Sequence, residues 1–196
     1  MKHSFSIEGY SYCLCPVATE DAPFIVEVRL EDMERNRFIH TISSDISLQV
    51  EWIEKYYGTP DDYYFLVKNK STGRKEGLLS IYNINQGKGE WGRWVIKKDS
   101  LASIESFYLM CRIAFEQLGI DEIYSRTVLE NQNVLKFHDS VNAIRRTVIS
   151  KCFTIGDKVY DAVEHFVNRE HFSTTIKPRL EKILFLMLER NNKTNP

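Results

Sequence analysis

The sequence predicts a mixed α/β fold with a mainly antiparallel central sheet and helices on both faces. Hydrophobic periodicity along the 196 residues gives the element order β-α-α-β-β-β-α-β-α-β-β. Three consecutive strands joined by short turns indicate an antiparallel meander. With 43% hydrophobic residues the chain can bury one sizeable core, so we assign residues 1–175 to one domain and residues 176–196 to a helix and tail of that domain.

The first part of the chain predicts one strand and two helices. Residues 10–17 are rich in the β-branched, aromatic and cysteine residues of a strand. Thr19, followed by two acidic residues, then predicts the start of a helix over residues 20–35. A second helix follows Ser47 and ends at Gly58. Its apolar side carries Leu48, Trp52, Ile53 and Tyr56.

The middle of the chain changes to the period of strands and then returns to that of a helix. Residues 63–67, 78–84 and 90–96 predict the meander, because turn-forming residues separate them. A strongly apolar helix then begins at Ser100 and ends at Gly119.

The last third predicts a strand, a short helix, a hairpin and a final helix. The segments are residues 122–128, 133–141, 145–154 and 158–166. Apolar residues at helical spacing over residues 176–190 predict the added amphipathic helix.

Composition excludes several function classes. A net charge of −1 and a pI near 6.5 argue against nucleic acid as a partner. No apolar run approaches the roughly 20 residues of a membrane span, and the N-terminus has no apolar signal region, so a cytoplasmic protein is expected. Cys13 and Cys15 match neither a redox pair nor a zinc motif, and the four cysteines are expected to be buried free thiols, with no metal site.

Residues 90–96 carry an acid, an apolar residue, glycine and an aromatic residue in a specific order. This segment resembles the fourth strand of the GNAT N-acetyltransferase superfamily, in the subgroup similar to ribosomal-protein and nucleotide-amino-sugar N-acyltransferases. The resemblance covers residues 12–172 and implies a GNAT-like sheet in which this strand separates from the next. Backbone groups near Trp94, Val95 and Ile96 then pair with an acyl-CoA, and one N–H aimed at the developing oxyanion contributes about 3 kcal/mol. A buried strand with an exposed hairpin glutamate is the alternative.

Residues 131–138 resemble the family stretch in which asparagine is followed seven residues later by tyrosine. Asn131 and Asn133 are therefore expected to contact the cofactor. The family's tyrosine, which protonates the departing thiolate, is replaced by His138, whose imidazolium can serve the same purpose. His138 as a surface residue of an amphipathic helix is the alternative. Asn142 replaces the family's glycine at the helix end and can adopt the same left-handed conformation.

The family's glycine-rich pyrophosphate loop is missing from the segment before the predicted central helix. A helix N-terminus with nearby positive charge and small residues can still hold a phosphate. The residues expected to do so are Lys97, Lys98, Ser100, Ala102 and Ser103. A plain capped helix start after an exposed basic turn is the alternative.

Acyl transfer to an amine requires a base that takes a proton from the attacking nitrogen. Glu90 is the first candidate, and His138 can be either base or acid. In the family the acceptor site is lined by the first two helices and their connection, which here offer Arg37, His40 and Trp52. Arg37 can grip a diphosphate and the aromatic ring can stack on a base or sugar, although Trp52 also fits a core position.

The resemblance implies an acyl-CoA-dependent N-acyltransferase that moves an acetyl or larger acyl group to a primary amine. A nucleotide-linked amino sugar for surface polysaccharide synthesis is the preferred acceptor. The alternatives are a ribosomal-protein-like N-terminal acetyltransferase and a non-catalytic acyl-CoA-binding domain. A peptide N-terminus would favour an open groove of carboxylates, which could be formed by Glu31, Asp32, Glu34, Asp61 and Asp62. The expected partners are a coenzyme A thioester and a small-molecule amine, with no nucleic acid or membrane, and the apolar tail leaves a homodimer open.

Overall fold

A single eight-stranded sheet organises the chain, and the structure, a computed structural model, describes residues 2–194. The strands are β1 (Ile7–Glu8), β2 (Tyr12–Pro16), β3 (Tyr63–Asn69), β4 (Lys75–Asn85), β5 (Lys88–Ile96), β6 (Glu122–Val128), β7 (Ile144–Ile155) and β8 (Lys158–Asn168). Their order is β1-β2-β3-β4-β5-β6-β8-β7, and only β5 and β6 pair in parallel. The predicted mixed, mainly antiparallel sheet is confirmed.

Helices cover both faces of this sheet. They are α1 (Ala22–Leu30), α2 (Ile46–Tyr57), α3 (Ala102–Arg112), α4 (Gln132–Ser140), α5 (Arg169–His171) and α6 (Lys177–Thr194). π-Helical turns extend α3 and join α5 to α6. Within residues 2–194, no helix combines the length and apolar character that crossing a bilayer requires. The last two residues of the predicted tail lie outside this part of the chain.

Strand β3 shows how the sheet divides the core into two clusters. Phe65 and Val67 belong to the cluster packed against α3 and α6, whereas Tyr64 and Leu66 belong to the cluster packed against α1 and α2. Successive side chains of a strand point to opposite faces, so four consecutive buried residues require cover on both sides. The predicted arrangement of helices on both faces is confirmed.

The first predicted helix, residues 20–35, is too long. After α1 the Asp32 carbonyl accepts from the Asn36 N–H at 2.9 Å, which closes a separate turn. The Asn36 amide then donates to the carbonyls of Val28 and Arg29 at 3.2 and 3.0 Å. Both carbonyls belong to the last turn of α1. In a longer helix they would accept hydrogen bonds from backbone N–H groups four residues later, and here the Asn36 side chain takes that place.

The four cysteines are free, but only Cys111 is fully buried, and the other three are partly exposed. The expectation of buried thiols therefore holds for Cys111 alone. The helix end at Asn142 follows the prediction, because this residue adopts a left-handed φ of 61°.

Candidate active site

Strands β5 and β6 separate and open a cleft in the sheet. They pair in parallel only as far as Glu90 and Tyr124. Beyond that point β5 continues to Ile96 and β6 to Val128 without pairing to each other. Backbone N–H and C=O groups on the two facing edges therefore lack a strand partner and are available to a ligand. Glu90 lies at the vertex of this cleft.

A β-bulge shapes the β5 side of the cleft. Leu78 pairs with Val95 and Ser80 with Gly92, so two β5 residues, Arg93 and Trp94, stand opposite one β4 residue. Arg93 adopts a left-handed φ of 48°, which costs a non-glycine residue about 1 kcal/mol. Because a bulge bends its strand, the segment after it turns toward the cleft.

The Arg93 side chain holds this bulge in place. Its guanidinium donates to both Asp62 oxygens, at 2.8 and 2.9 Å, and lies 4.7 Å from the Tyr82 ring centre. It also donates to the Ser80 hydroxyl at 3.3 Å. Burial opposes the charge, but the hydrogen-bonded Asp62 carboxylate raises the pKa of Arg93 overall. The left-handed backbone is thus fixed by a bidentate ion pair.

Two cavities meet at the cleft. The Glu90 cavity, of about 470 Å³, lies among α1, α2 and strands β3 to β6. The Asn133 cavity, of about 740 Å³, lies between the end of β5, the first turn of α3 and the start of α4. The residues lining both cavities are Phe38, Ile39, Trp94, Asn131 and Val134. One elongated ligand, or two ligands end to end, can therefore occupy a continuous site.

Most of the predicted site residues come together around these cavities. Glu90, His138, His40 and Trp52 line the Glu90 cavity. The Asn133 cavity is lined by Arg37, Val95, Ile96, Ser103 and Asn133, while Trp94 and Asn131 line both. Arg37 thus lies on the α4 side rather than in the expected acceptor region.

Four predicted phosphate-binding residues line neither cavity. Lys97 forms an ion pair with Glu27 of α1, and Lys98 is exposed. The Ser100 hydroxyl donates to Glu76 at 2.6 Å and accepts from the Ala102 N–H at 3.1 Å. The Ser100 hydroxyl thus serves the first N–H of α3, although Leu101, the residue that precedes the helix, provides no side-chain cap.

Glu90 has the environment of a functional carboxylate rather than that of an exposed hairpin residue. Its residue exposure is 7%, and it lines a cavity. The Asn83 amide donates to its Oε2 at 3.1 Å, and the Arg126 guanidinium lies 3.8 Å away. Burial and the nearby Glu90 carboxylate raise the pKa of the Tyr82 phenol, which stays protonated beside it.

Arg126 was not found by sequence reasoning, although it lines the Glu90 cavity. Its Nε donates to Glu164 on β8 at 3.2 Å. Glu164 also accepts from Arg146 at 2.7 Å, and Arg146 reaches Glu122 at 3.0 Å. This array of alternating charges spans three strands and fixes the Arg126 side chain beside Glu90.

His138 is buried, so its interpretation as a surface residue is wrong. Its residue exposure is 1%, and its ring stacks on His165 at 4.8 Å. Its Nε2 lies 3.3 Å from the hydroxyls of Ser125 and Thr127. Burial, with a smaller effect of His165, lowers the pKa of His138 to about 3. At pH 7 the ring is neutral, so the imidazolium that the predicted acid role requires is not populated.

Comparison with known proteins agrees with this geometry. Residues 12–142 match the family described as an acetyltransferase (GNAT) domain. No curated protein matches the chain.

Three solved structures share the fold. A GCN5-related N-acetyltransferase from Brucella melitensis is 17% identical, with 95% of this chain and 86% of that chain covered and a TM-score of 0.79. FdhC, a nucleotide-linked sugar GNAT, is 22% identical, with 87% and 94% covered and a TM-score of 0.72. A variant of the spermidine N-acetyltransferase SpeG from Vibrio cholerae is 14% identical, with 85% and 98% covered and a TM-score of 0.73.

Proposed function

Because this chain belongs to the GNAT acetyltransferase family and is therefore an N-acetyltransferase with acetyl-CoA as cosubstrate, we propose that its acceptor amine enters the Glu90 cavity. The acceptor that we propose is a nucleotide-linked amino sugar. One observation carries this assignment: the Glu90 carboxylate lies at the vertex of the cleft and lines the cavity that is continuous with the Asn133 cavity through Trp94 and Asn131. A base at that position can reach an amine held in the Glu90 cavity, while the acyl donor approaches from the Asn133 cavity.

The Asn133 cavity is the proposed place for the cosubstrate. The backbone groups of β5 that face the cleft, in the stretch from Trp94 to Ile96, can pair with the pantetheine arm and the thioester carbonyl. Positive charge for the phosphates comes from Arg35 and Arg37, which line the same cavity. Arg37 is paired with Glu34 in an exposed ion pair, which stabilises little and is readily exchanged for a phosphate.

Glu90 is the proposed base for the attacking amine. A buried carboxylate can take a proton directly or through one water, and the Asn83 and Arg126 contacts orient it without occupying both of its oxygens. His138, neutral and enclosed by β6 and β8, is better suited to positioning α4 against the sheet than to proton transfer.

The Glu90 cavity suits a sugar or nucleotide better than a peptide or a polyamine. Among residues 2–194, Glu90 is the only carboxylate in its lining, against three arginines. The acids expected to form a peptide groove lie elsewhere: Asp62 is used by Arg93, and Asp32 and Glu34 line the Asn133 cavity. Trp52 is 39% exposed and lines the Glu90 cavity. Its ring stacks on Tyr56 at 5.8 Å and lies 5.4 Å from the Arg93 guanidinium, so the part of the ring that stays exposed can contact a sugar or base.

Coenzyme A is expected to stabilise the protein against unfolding. At about 100 times its dissociation constant a ligand of the folded state adds about 2.7 kcal/mol, which thermal unfolding detects. A tyrosine at Ser103 would fill part of the Asn133 cavity, so Ser103→Tyr should lose most of this stabilisation. Ser150→Tyr, at an exposed position of β7, is the matched control and should retain it.

Two other results of the coenzyme A experiment would contradict the proposal, one for catalysis and one for cosubstrate binding. Stabilisation by coenzyme A without thiol release from acetyl-CoA, whatever amine is supplied, indicates the non-catalytic binding domain. If coenzyme A does not change the unfolding midpoint of the wild-type protein, the proposed cosubstrate site is wrong.

A further inference from the structure

Arg29 extends from α1 into the Glu90 cavity. Ile25, one helical turn earlier, lines the same cavity, so this face of α1 forms part of its wall. The guanidinium donates to the backbone carbonyl of His40 and lies close to the Tyr64 side chain, which lines the same cavity. These contacts hold the side chain in the cavity and leave other N–H groups of its five for a ligand.

The other two arginines of the cavity each form an ion pair with a carboxylate, whereas Arg29 does not. Arg93 is paired with Asp62 at 2.8 Å, and Arg126 with Glu164 at 3.2 Å. Within residues 2–194, no carboxylate lies within ion-pair distance of Arg29. Burial, and to a smaller extent Arg93, lowers the pKa of Arg29. A partly buried cation without a carboxylate is unfavourable, and an anionic group of a ligand offsets that cost.

The sheet register places the strand positions near Arg29 and at the proposed base at different points of the cavity wall. Tyr64, which lies beside Arg29, is level with Ser80 on β4 and Gly92 on β5. Glu90 lies two residues further along β5 from that level. Two strand spacings across and two residues along separate the Tyr64 and Glu90 backbones by roughly 12 Å. Arg29 and Glu90 are therefore placed to contact different parts of one ligand in the Glu90 cavity.

We propose that Arg29 binds a phosphate group of the acceptor, and that the acceptor carries its phosphate ester or diphosphate remote from the reacting amine. This rests on the proposed function and assigns the anionic end of the acceptor to Arg29 rather than to Arg37. The planar guanidinium matches phosphate oxygens in a two-pronged geometry, which a lysine cannot reproduce.

Paired substrates that differ only in phosphate provide the test. We expect wild-type kcat/KM for glucosamine 6-phosphate to exceed that for glucosamine by about 10- to 100-fold, the range for one charged hydrogen-bonding contact. Arg29→Met should abolish this preference through KM, so kcat/KM for glucosamine 6-phosphate should fall about 10- to 100-fold further than kcat/KM for glucosamine. KM for acetyl-CoA should stay unchanged. Arg29→Gln, which keeps a donor for the His40 carbonyl, should behave like Arg29→Met, and Arg29→Lys should fall between.

Binding of UDP, measured by calorimetry, tests the same contact without turnover. Arg29→Met should weaken it about 10-fold or more. Arg74→Met, in the exposed turn between β3 and β4, is the matched control and should bind like the wild-type protein.

Three results would overturn the inference: wild-type enzyme with no preference for the phosphorylated amine, equal losses for both amines in the variants, or unchanged UDP affinity in Arg29→Met. Equal losses would mean that Arg29 only supports the loop through His40. Absence of thiol release from the wild-type protein with any amine counts instead against the proposed function, and the UDP measurement still decides the role of Arg29.

Discussion

Glu90→Gln is expected to lower kcat by about 10²- to 10⁴-fold, the range typical of a lost general base. The amide has the same shape and can still bond to Asn83, but it cannot accept the proton of the attacking amine. Because the proposed cosubstrate site is the Asn133 cavity, which Glu90 does not line, KM for acetyl-CoA should stay within about twofold of the wild-type value. Steady-state thiol release with saturating amine measures both quantities.

The pH dependence of the Glu90→Gln rate distinguishes the loss of a general base from a general disturbance of the site. Raising the pH increases the fraction of amine that is already neutral, so the deficit of Glu90→Gln should shrink with increasing pH. Glu170→Gln, at an exposed position of α5, is the matched control and should keep wild-type rates. A wild-type rate in Glu90→Gln itself would remove Glu90 from the mechanism.

His138 is expected to make the fold sensitive to acid. Its pKa is about 3 in the folded protein, below the ordinary value of 6.5, because burial disfavours its charge. Above pH 6.5 the ring is neutral in both states and its contribution to stability is fully present. As the pH falls toward 3, the unfolded chain takes up a proton that the folded protein excludes, so stability is lost. Linkage gives a loss of about 2 kcal/mol between pH 7.5 and pH 5.

Urea unfolding at pH 7.5 and pH 5 checks this expectation. His138→Gln does not titrate in this range, so it should lose about 2 kcal/mol less than the wild-type protein over the same interval. Burial also lowers the pKa of the stacked His165, which remains in both proteins and cancels in the comparison. His40→Gln, an exposed control, should keep the wild-type dependence. Identical pH dependence in wild-type and His138→Gln would contradict the buried, neutral ring.

The fold could be predicted from the sequence because its periodicities are local. The continuous apolar run of β3, the glycine and asparagine helix ends and the short turns of the meander all act within a few residues. The first helix was predicted to be too long because apolar periodicity does not show side-chain hydrogen bonds to the backbone. Here the Asn36 side chain folds back and bonds to the last carbonyls of α1, which ends the helix.

The residues of the site that were predicted stand in short local patterns, whereas the arginines that were missed depend on distant partners. Glu90 and Trp94 stand in a local pattern, whereas Arg93 depends on Asp62, 31 residues away, and Arg126 on Glu164, 38 residues away. Lys97 was predicted to bind phosphate but lines neither cavity, because a positive charge in the sequence does not show in which direction the side chain points. Its partner, Glu27, lies 70 residues earlier and draws it away from both cavities.

The burial of His138 is a further effect of tertiary contacts. On α4 alone this residue belongs to an amphipathic helix, and either a surface or an interior position fits the pattern. The contacts that decide come from Ser125 and Thr127 on β6 and from His165 on β8. They also change its chemistry, since they enclose the ring as a neutral imidazole.

The most direct test of the account is a mass measurement of acetyl transfer from acetyl-CoA across a panel of nucleotide-linked amino sugars, peptide N-termini and spermidine. With the wild-type protein, a nucleotide-linked amino sugar is expected to gain one acetyl group on its amino nitrogen, and Glu90→Gln should yield far less product in the same time. Acetylation of peptides or spermidine in preference to every amino sugar, or no acetylated product from any amine, would contradict it.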